Sequence, residues 1–141
     1  MPRVAERNNL QDQYLQAAVA TAPPGRLLLM LYDGAINFLS RAVDALERKD
    51  YEEANRLIGR AQDIIAELIS ALDMKYEVAQ FLYQLYDYFN RRLIEANVKK
   101  DGVPATEVQG YLKELRETWA KVVADVGPGA VPPPSAAGME V

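Results

Sequence analysis

The side chains able to do chemistry in this sequence are tyrosines, carboxylates and cations. There are 8 Tyr, 20 Asp plus Glu and 16 Lys plus Arg, with no His and no Cys. Without imidazole there is no His general base, no haem ligation by His and no Glu-x-x-His carboxylate motif for paired metals. Without thiols there is no disulfide framework, no thiolate zinc site and no cysteine nucleophile. An enzyme would have to work through Lys, Tyr or a pair of carboxylates. Asp33, Asp63 and Glu67 all fall on polar faces of the helices assigned below, so no convergent pair forms. Gly25, Gly34, Gly59, Gly102 and Gly110 are isolated, so no phosphate-cradling loop is present. The net charge of −4 argues against a nucleic-acid-binding face. The sequence therefore points to a binding or structural protein, not an enzyme, with no cofactor and no metal.

A denser feature is the aromatic run Phe81, Tyr83, Tyr86, Tyr88 and Phe89. Successive helical residues are about 100° apart, so these five cannot all face one bundle axis. Three readings fit: core plus boundary tyrosines with wet hydroxyls, a groove for a partner helix, or a homodimer surface. Arg92 falls in line with Leu85, Tyr88 and Ala96, whereas Asp87, Arg91 and Glu95 form a solvated charge row. Its stem either packs while the guanidinium reaches water, or the guanidinium anchors a partner's polar or carboxylate group.

These residues sit on four helical patterns separated by short connections. The first spans 24–47 and has two apolar rows. One is Leu27, Leu31, Ala35, Phe38, Ala42 and Leu46; the other is Leu28, Tyr32, Ile36, Leu39 and Val43. Together they are wider than a coiled-coil seam. The second spans 51–72, with Asp50 and Glu53 placed as a capping box. The third spans 76–99, with the stripe Val78, Leu82, Leu85, Phe89, Leu93 and Ala96; Gly102 follows as its stop. The fourth spans 104–126, opened by Pro104, with the stripe Val108, Leu112, Leu115, Trp119, Val122 and Val126. Short connections make consecutive helices antiparallel, which predicts an all-α, up-down-up-down four-helix bundle over 24–126. Leu27, Leu31, Phe38, Leu82, Leu115 and Trp119 are assigned to its core.

Two segments flank the bundle. Residues 1–23 are polar apart from Leu10, Tyr14, Leu15 and a small-residue stretch. They form either a frayed terminus or a short cap over an exposed apolar groove. Residues 127–141 are Pro/Ala-rich and read as a disordered tail. The N-terminus lacks the apolar region of a secretory signal, and no run approaches the roughly 20 apolar residues of a membrane span. A cytoplasmic protein without membrane insertion is expected.

Several stretches carry a family resemblance. They are Tyr14-Leu15-Gln16, Thr21-Ala22-Pro23-Pro24-Gly25-Arg26-Leu27 and Met30-Leu31-Tyr32-Asp33-Gly34 at the start. Ala61-Gln62-Asp63-Ile64-Ile65-Ala66-Glu67-Leu68 follows in the second helix. Leu85-Tyr86-Asp87-Tyr88-Phe89 and Arg91-Arg92-Leu93-Ile94-Glu95-Ala96-Asn97 lie in the third; Gly110-Tyr111, Leu115-Arg116 and Trp119 lie in the fourth. In order and spacing, over about 14–123, they resemble the flagellar secretion chaperones of the FliS family. Where that family has Ser-Pro-Gly-Glu, this chain has Pro23-Pro24-Gly25-Arg26, so both halves of a capping box are lost, about 1 kcal/mol of local capping. The resemblance implies a cytosolic four-helix chaperone. Its client would be the C-terminal segment of flagellin, held against premature polymerisation and passed to the membrane gate of the flagellar type III secretion system. The residues expected to hold that client are Leu10 and Tyr14 in the cap, Leu28, Tyr32 and Ile36 in the first helix, and Tyr86, Phe89 and Arg92 in the third. Phe89 is the member of this set best placed to be plain core. A monomer is expected over a dimer; the competing reading is a helical adaptor or homodimer serving another export client.

Overall fold

The structure is a computed structural model that describes residues 24–126. Four helices follow in order: α1 Pro24–Glu47, α2 Tyr51–Ser70, α3 Glu77–Lys99 and α4 Gly102–Val126. Among the described residues there is no strand. α1 packs on α2 and α4, and α3 packs on the same two helices from the other side. The helices thus form a four-membered ring with α1 and α3 on one diagonal. Short turns make each neighbour antiparallel, as the sequence predicts. The flanking segments 1–23 and 127–141, expected as cap and tail, lie outside the described residues.

The turns explain where the helices stop. Lys49 adopts φ 61° and Lys100 φ 55°, both in the left-handed region. At the end of α1 the Asp50 N–H returns to Ala45 O at 2.8 Å, and at the end of α3 the Asp101 N–H returns to Ala96 O at 3.0 Å. These bonds satisfy carbonyls that the helices would otherwise leave open. Gly102, expected to stop α3, instead begins α4; Lys100 takes the left-handed cap position. Asp50 does cap α2, its carboxylate accepting from the Glu53 N–H at 3.2 Å. The reciprocal half of the box is not made, because the Asp50 N–H is committed to Ala45 and Glu53 pairs with Arg56.

The two apolar rows of α1 are both consumed by packing. Leu28, Tyr32, Ala35, Phe38, Leu39, Ala42 and Leu46 are buried, drawn from both rows. Leu27, Leu31 and Ile36 are half-buried. The reason is geometric: α1 touches two neighbours at once, so it needs a wide stripe. The double row is therefore no sign of spare surface. Of the residues assigned to the core, Phe38, Leu82 and Trp119 are buried, while Leu27, Leu31 and Leu115 sit at its edge. Polar side chains tie the helices at the rim. Arg116 on α4 grips Asp33 on α1 through Nε at 2.9 Å and Nη2 at 3.2 Å. Gln62 donates to Asn90 at 2.8 Å and Asn97 to Asn55 at 2.5 Å, joining α2 and α3. The guanidinium groups of Arg41 and Arg60 lie 5.5 and 5.3 Å from the Phe38 ring, joining α1 and α2 through cation–π contact.

Candidate functional site

The aromatic run of α3 divides cleanly. Ala79, Leu82, Tyr86, Phe89, Leu93 and Ala96 are buried. This stripe is rotated by part of a turn from the one read in the sequence, away from Val78 and Leu85, which are half-buried, toward Ala79 and Tyr86. Phe81 and Tyr83 then fall on either flank, where they are 62% and 45% exposed. Five aromatics indeed do not share one face. Tyr86, expected to contact the client, is instead core, and Phe89 is core as its place in the stripe predicts, so neither is exposed to a client.

The burial of Tyr86 is explained by what surrounds it. Tyr86 on α3 and Tyr32 on α1 meet across the bundle diagonal, and their hydroxyls hydrogen-bond each other. Trp119 on α4 donates its Nε1–H to the Tyr32 hydroxyl at 3.0 Å. A hydroxyl is costly to bury alone, so each partner makes the other's burial tolerable. Burial pushes the Tyr32 phenol up to about 12, against the hydrogen bonds from Tyr86 and Trp119. Burial, then the neighbouring Tyr32, raises Tyr86 as well. Both phenols stay neutral, in a structural role. Phe89 stacks on the Tyr111 ring at 5.8 Å and tilts against Tyr86 at 6.2 Å.

The remaining sequence-predicted residues are dispersed. Leu28 is buried with Tyr32, and the half-buried Ile36 accepts on its carbonyl from Gln109 at 3.1 Å. Leu10 and Tyr14 lie outside the described residues. Arg92 is part-buried and bound: its Nε–H donates to Glu107 at 2.6 Å and its Nη1–H to Glu95. The Tyr88 hydroxyl donates to the other Glu107 oxygen at 2.7 Å. The Tyr88 hydrogen bond, then the Arg92 guanidinium, holds the Glu107 carboxyl below its usual range. Arg92 is thus a clamp between α3 and α4, with its guanidinium already engaged.

That clamp orients an exposed seam. Tyr88 and Arg92 face α4, so Phe81 and Leu85, which precede Tyr88 by seven and three residues, face it too. From α4 the row Glu107, Tyr111, Leu115 and Val122 faces back. Phe81 is largely exposed and Tyr111 on one face, while Leu85, Tyr88, Leu115 and Val122 are partly buried. The other flank of α3 carries the exposed Tyr83 and Ile94, with Val98 beyond. Ile94, Val98 and Tyr111 were missed as surface candidates, and Phe81 and Tyr83, though part of the aromatic run, were left out of the expected client contacts. The signal was present: a buried stripe through Tyr86 leaves positions one residue away on either side, Phe81 beside Leu82 among them, about 100° off the core. An open cleft of about 610 Å³ lies at the C-terminal end of α1, lined by Val43, Leu46, Gly102 and Val103 among others, and meets the seam at Glu107. Among the described residues no cluster of acidic or other donor side chains could hold a metal ion.

Fold and surface together define a helical bundle whose inner polar groups serve its own structure and whose exposed apolar groups gather along α3. Comparison with known proteins places it further. The family model described as flagellar protein FliS matches residues 6–126. The flagellar secretion chaperone FliS of Bacillus subtilis is 40% identical over 115 residues, covering 82% of this chain and 86% of that one. That of Salmonella typhimurium is 37% identical over 111 residues, covering 77% and 82%, and the chaperone FliSB of Pseudomonas aeruginosa is 38% identical over 111 residues, covering 77% and 88%. The chain belongs to the FliS family. No described helix is long and apolar enough to cross a membrane.

Proposed function

We propose that this chain is a cytoplasmic flagellar secretion chaperone that holds the C-terminal segment of flagellin along α3. It thereby blocks premature polymerisation and presents the client to the flagellar type III export gate. The supporting observation is the seam of Phe81, Leu85, Tyr111, Leu115 and Val122, which offers apolar and aromatic groups at helical spacing along both walls. An amphipathic client segment lays anchors at i, i+3, i+4 and i+7 into such a seam. Each large apolar side chain so covered contributes about 1.5–3 kcal/mol, enough to offset the ordering of a segment that is unfolded when free. No cofactor is needed for this. The buried Tyr32 and Tyr86 act behind the seam, fixing the rotation of α3 that turns Phe81 outward.

Calorimetric titration of the full chain with a flagellin C-terminal fragment should give a 1:1 complex with a monomeric chaperone. Phe81→Ala and Tyr111→Ala should each weaken it by roughly tenfold, the equivalent of about 1.4 kcal/mol. Absence of affinity for any flagellin C-terminal fragment would overturn the reading. A tight homodimer burying Phe81 would instead favour an adaptor that pairs with itself.

A further inference from the structure

The connections 48–50 and 100–101 lie at the same end of the bundle, and there α1 and α4 leave a gap between them. This gap is the open cleft of about 610 Å³. Its apolar surface comes from Val43 and Leu46 late in α1, and from Gly102 and Val103 at the start of α4. Gly102 keeps it open. A Cβ at that position would stand 3.5 Å from a Val43 methyl, in ordinary contact, so glycine leaves the methyl uncovered where another residue would touch it. Val103 beside it is 68% exposed.

The charges around the cleft are one-sided. Glu47, Asp101 and Glu107 line it, with Lys100 as the one cation among the described lining residues. Lys100 holds its ammonium 5.6 Å from the centre of the Tyr51 ring on α2. Asp101 spends one carboxylate oxygen on the Val103 N–H at 3.0 Å, and Glu107 spends both of its own on Tyr88 and Arg92. Glu47 differs: it is exposed and makes no ion pair among the described residues. It also closes α1, whose last turn carries no basic residue. A carboxylate at that end opposes the helix dipole, which favours cations there. The neighbouring Arg48 is turned to Asp44 and Asp50, and Lys99 to Glu95.

We propose that this cleft docks a basic, apolar segment of another protein. A branched apolar side chain seats on Val43, Leu46 and Val103, and a Lys or Arg beside it meets Glu47 at the end of α1. The same carboxylates repel acidic segments, so the rim selects by charge while the floor supplies affinity. The cleft shares only Glu107 with the α3–α4 seam, and that carboxylate is already committed. The docking therefore belongs to a second face and does not depend on what lies along α3.

The probe is a blocked peptide of about 14 residues, with Leu at i, i+4 and i+7 and Lys between, long enough to turn helical on docking. Titrated into the full-length, nitrogen-15-labelled chain, it should shift the amides of Val43, Leu46, Gly102, Val103 and Thr106 and spare Asp63 and Phe81. The same peptide with Glu in place of Lys should bind at least about fivefold more weakly. Glu47→Lys should weaken the Lys peptide about fivefold, as for the loss of one exposed ion pair. Glu67→Lys, an equal change of net charge on α2, should leave it unaltered. Val103→Ser should weaken it by roughly tenfold with an unchanged melting temperature. Absence of shifts at the cleft, equal affinity for the Glu peptide, or equal weakening by Glu67→Lys would each overturn the proposal. So would shifts centred on Phe81 and Tyr111, which would put the peptide on the seam. Movement of the Val43 and Val103 amides on dilution of the free chain would assign the cleft to a second copy instead. A flagellin C-terminal fragment that shifts these amides and displaces the peptide would make the cleft part of the client's track and end the case for a separate basic partner. A fragment that binds nowhere would overturn the function proposed above and leave the cleft's peptide binding standing.

Discussion

Tyr86 and Phe81 are five residues apart on α3, yet their removal should have opposite consequences. Tyr86 is fully buried. Truncating a buried aromatic to Ala typically costs about 3–5 kcal/mol. Tyr86→Ala also takes away the partner of the Tyr32 hydroxyl, adding about 1 kcal/mol, although the Trp119 N–H still reaches that oxygen at 3.0 Å. The sum, about 4–6 kcal/mol, rivals the whole stability of many domains of this size, about 5–15 kcal/mol. At about 4–8 °C per kcal/mol, the melting temperature should fall by more than about 16 °C. Tyr86→Phe keeps the ring and loses only the hydroxyl, so about 1 kcal/mol, or about 4–8 °C, is expected. Phe81 is 62% exposed, and Phe81→Ala should stay within about 1 kcal/mol of the parent. Thermal melts followed by circular dichroism at the helical band, paired with client titration, separate the cases. Tyr86→Ala abolishes binding by unfolding the chain; Phe81→Ala weakens it in a folded one. A Tyr86→Ala melt within about 4 °C of the parent, or a Phe81→Ala melt as low as that of Tyr86→Ala, would refute this division of labour.

Two further outcomes follow from the geometry. The Tyr32 phenol is raised to about 12, and Tyr86 is raised too, so the native state holds these protons more tightly than the unfolded chain, whose tyrosines titrate near 10. Their stabilisation is complete below pH 10 and drains as pH rises toward 12, by about 1.4 kcal/mol per pH unit for each buried phenol. Urea midpoints measured from pH 9 to 11.5 should fall accordingly, and Tyr32→Phe should roughly halve the slope; a flat profile through pH 11 contradicts it. Lys49 sits at φ 61°, where an L side chain is strained by about 1–2 kcal/mol. Lys49→Gly should relieve this and, after glycine's own entropic cost, raise stability by about 0.5–1 kcal/mol in chemical denaturation, with loss of stability as the opposing result.

Helix spacing in the sequence carries nearly all of the fold, because four long amphipathic patterns with short connections admit few arrangements. The ends are less legible. Ser70 closes α2 two residues earlier than the apolar pattern, and Lys100 does the work that composition assigns to Gly102. The site was harder to read. Val78-Leu82-Leu85 and Ala79-Leu82-Tyr86 are equally good stripes by spacing, and only the diagonal bond from Tyr86 to Tyr32 decides between them. A tyrosine in a sequence advertises an amphipathic surface residue; paired with a second hydroxyl and an indole, it becomes core. Arg92 shows the same limit. Its engagement with Glu107, fifteen residues away on another helix, is invisible to any local pattern.

The indole at the centre of the bundle has an optical consequence. Trp119 is the single tryptophan of the chain, buried and hydrogen-bonded through Nε1 to Tyr32. Its emission therefore comes from one known place, the junction of α1, α3 and α4, and the adjoining phenols are placed to pass excitation to it. A partner that merely coats the outside of α3 would leave that emission nearly untouched. One that pries α3 from the diagonal would shift it toward longer wavelength, so the chain carries its own gauge of how deeply it is entered.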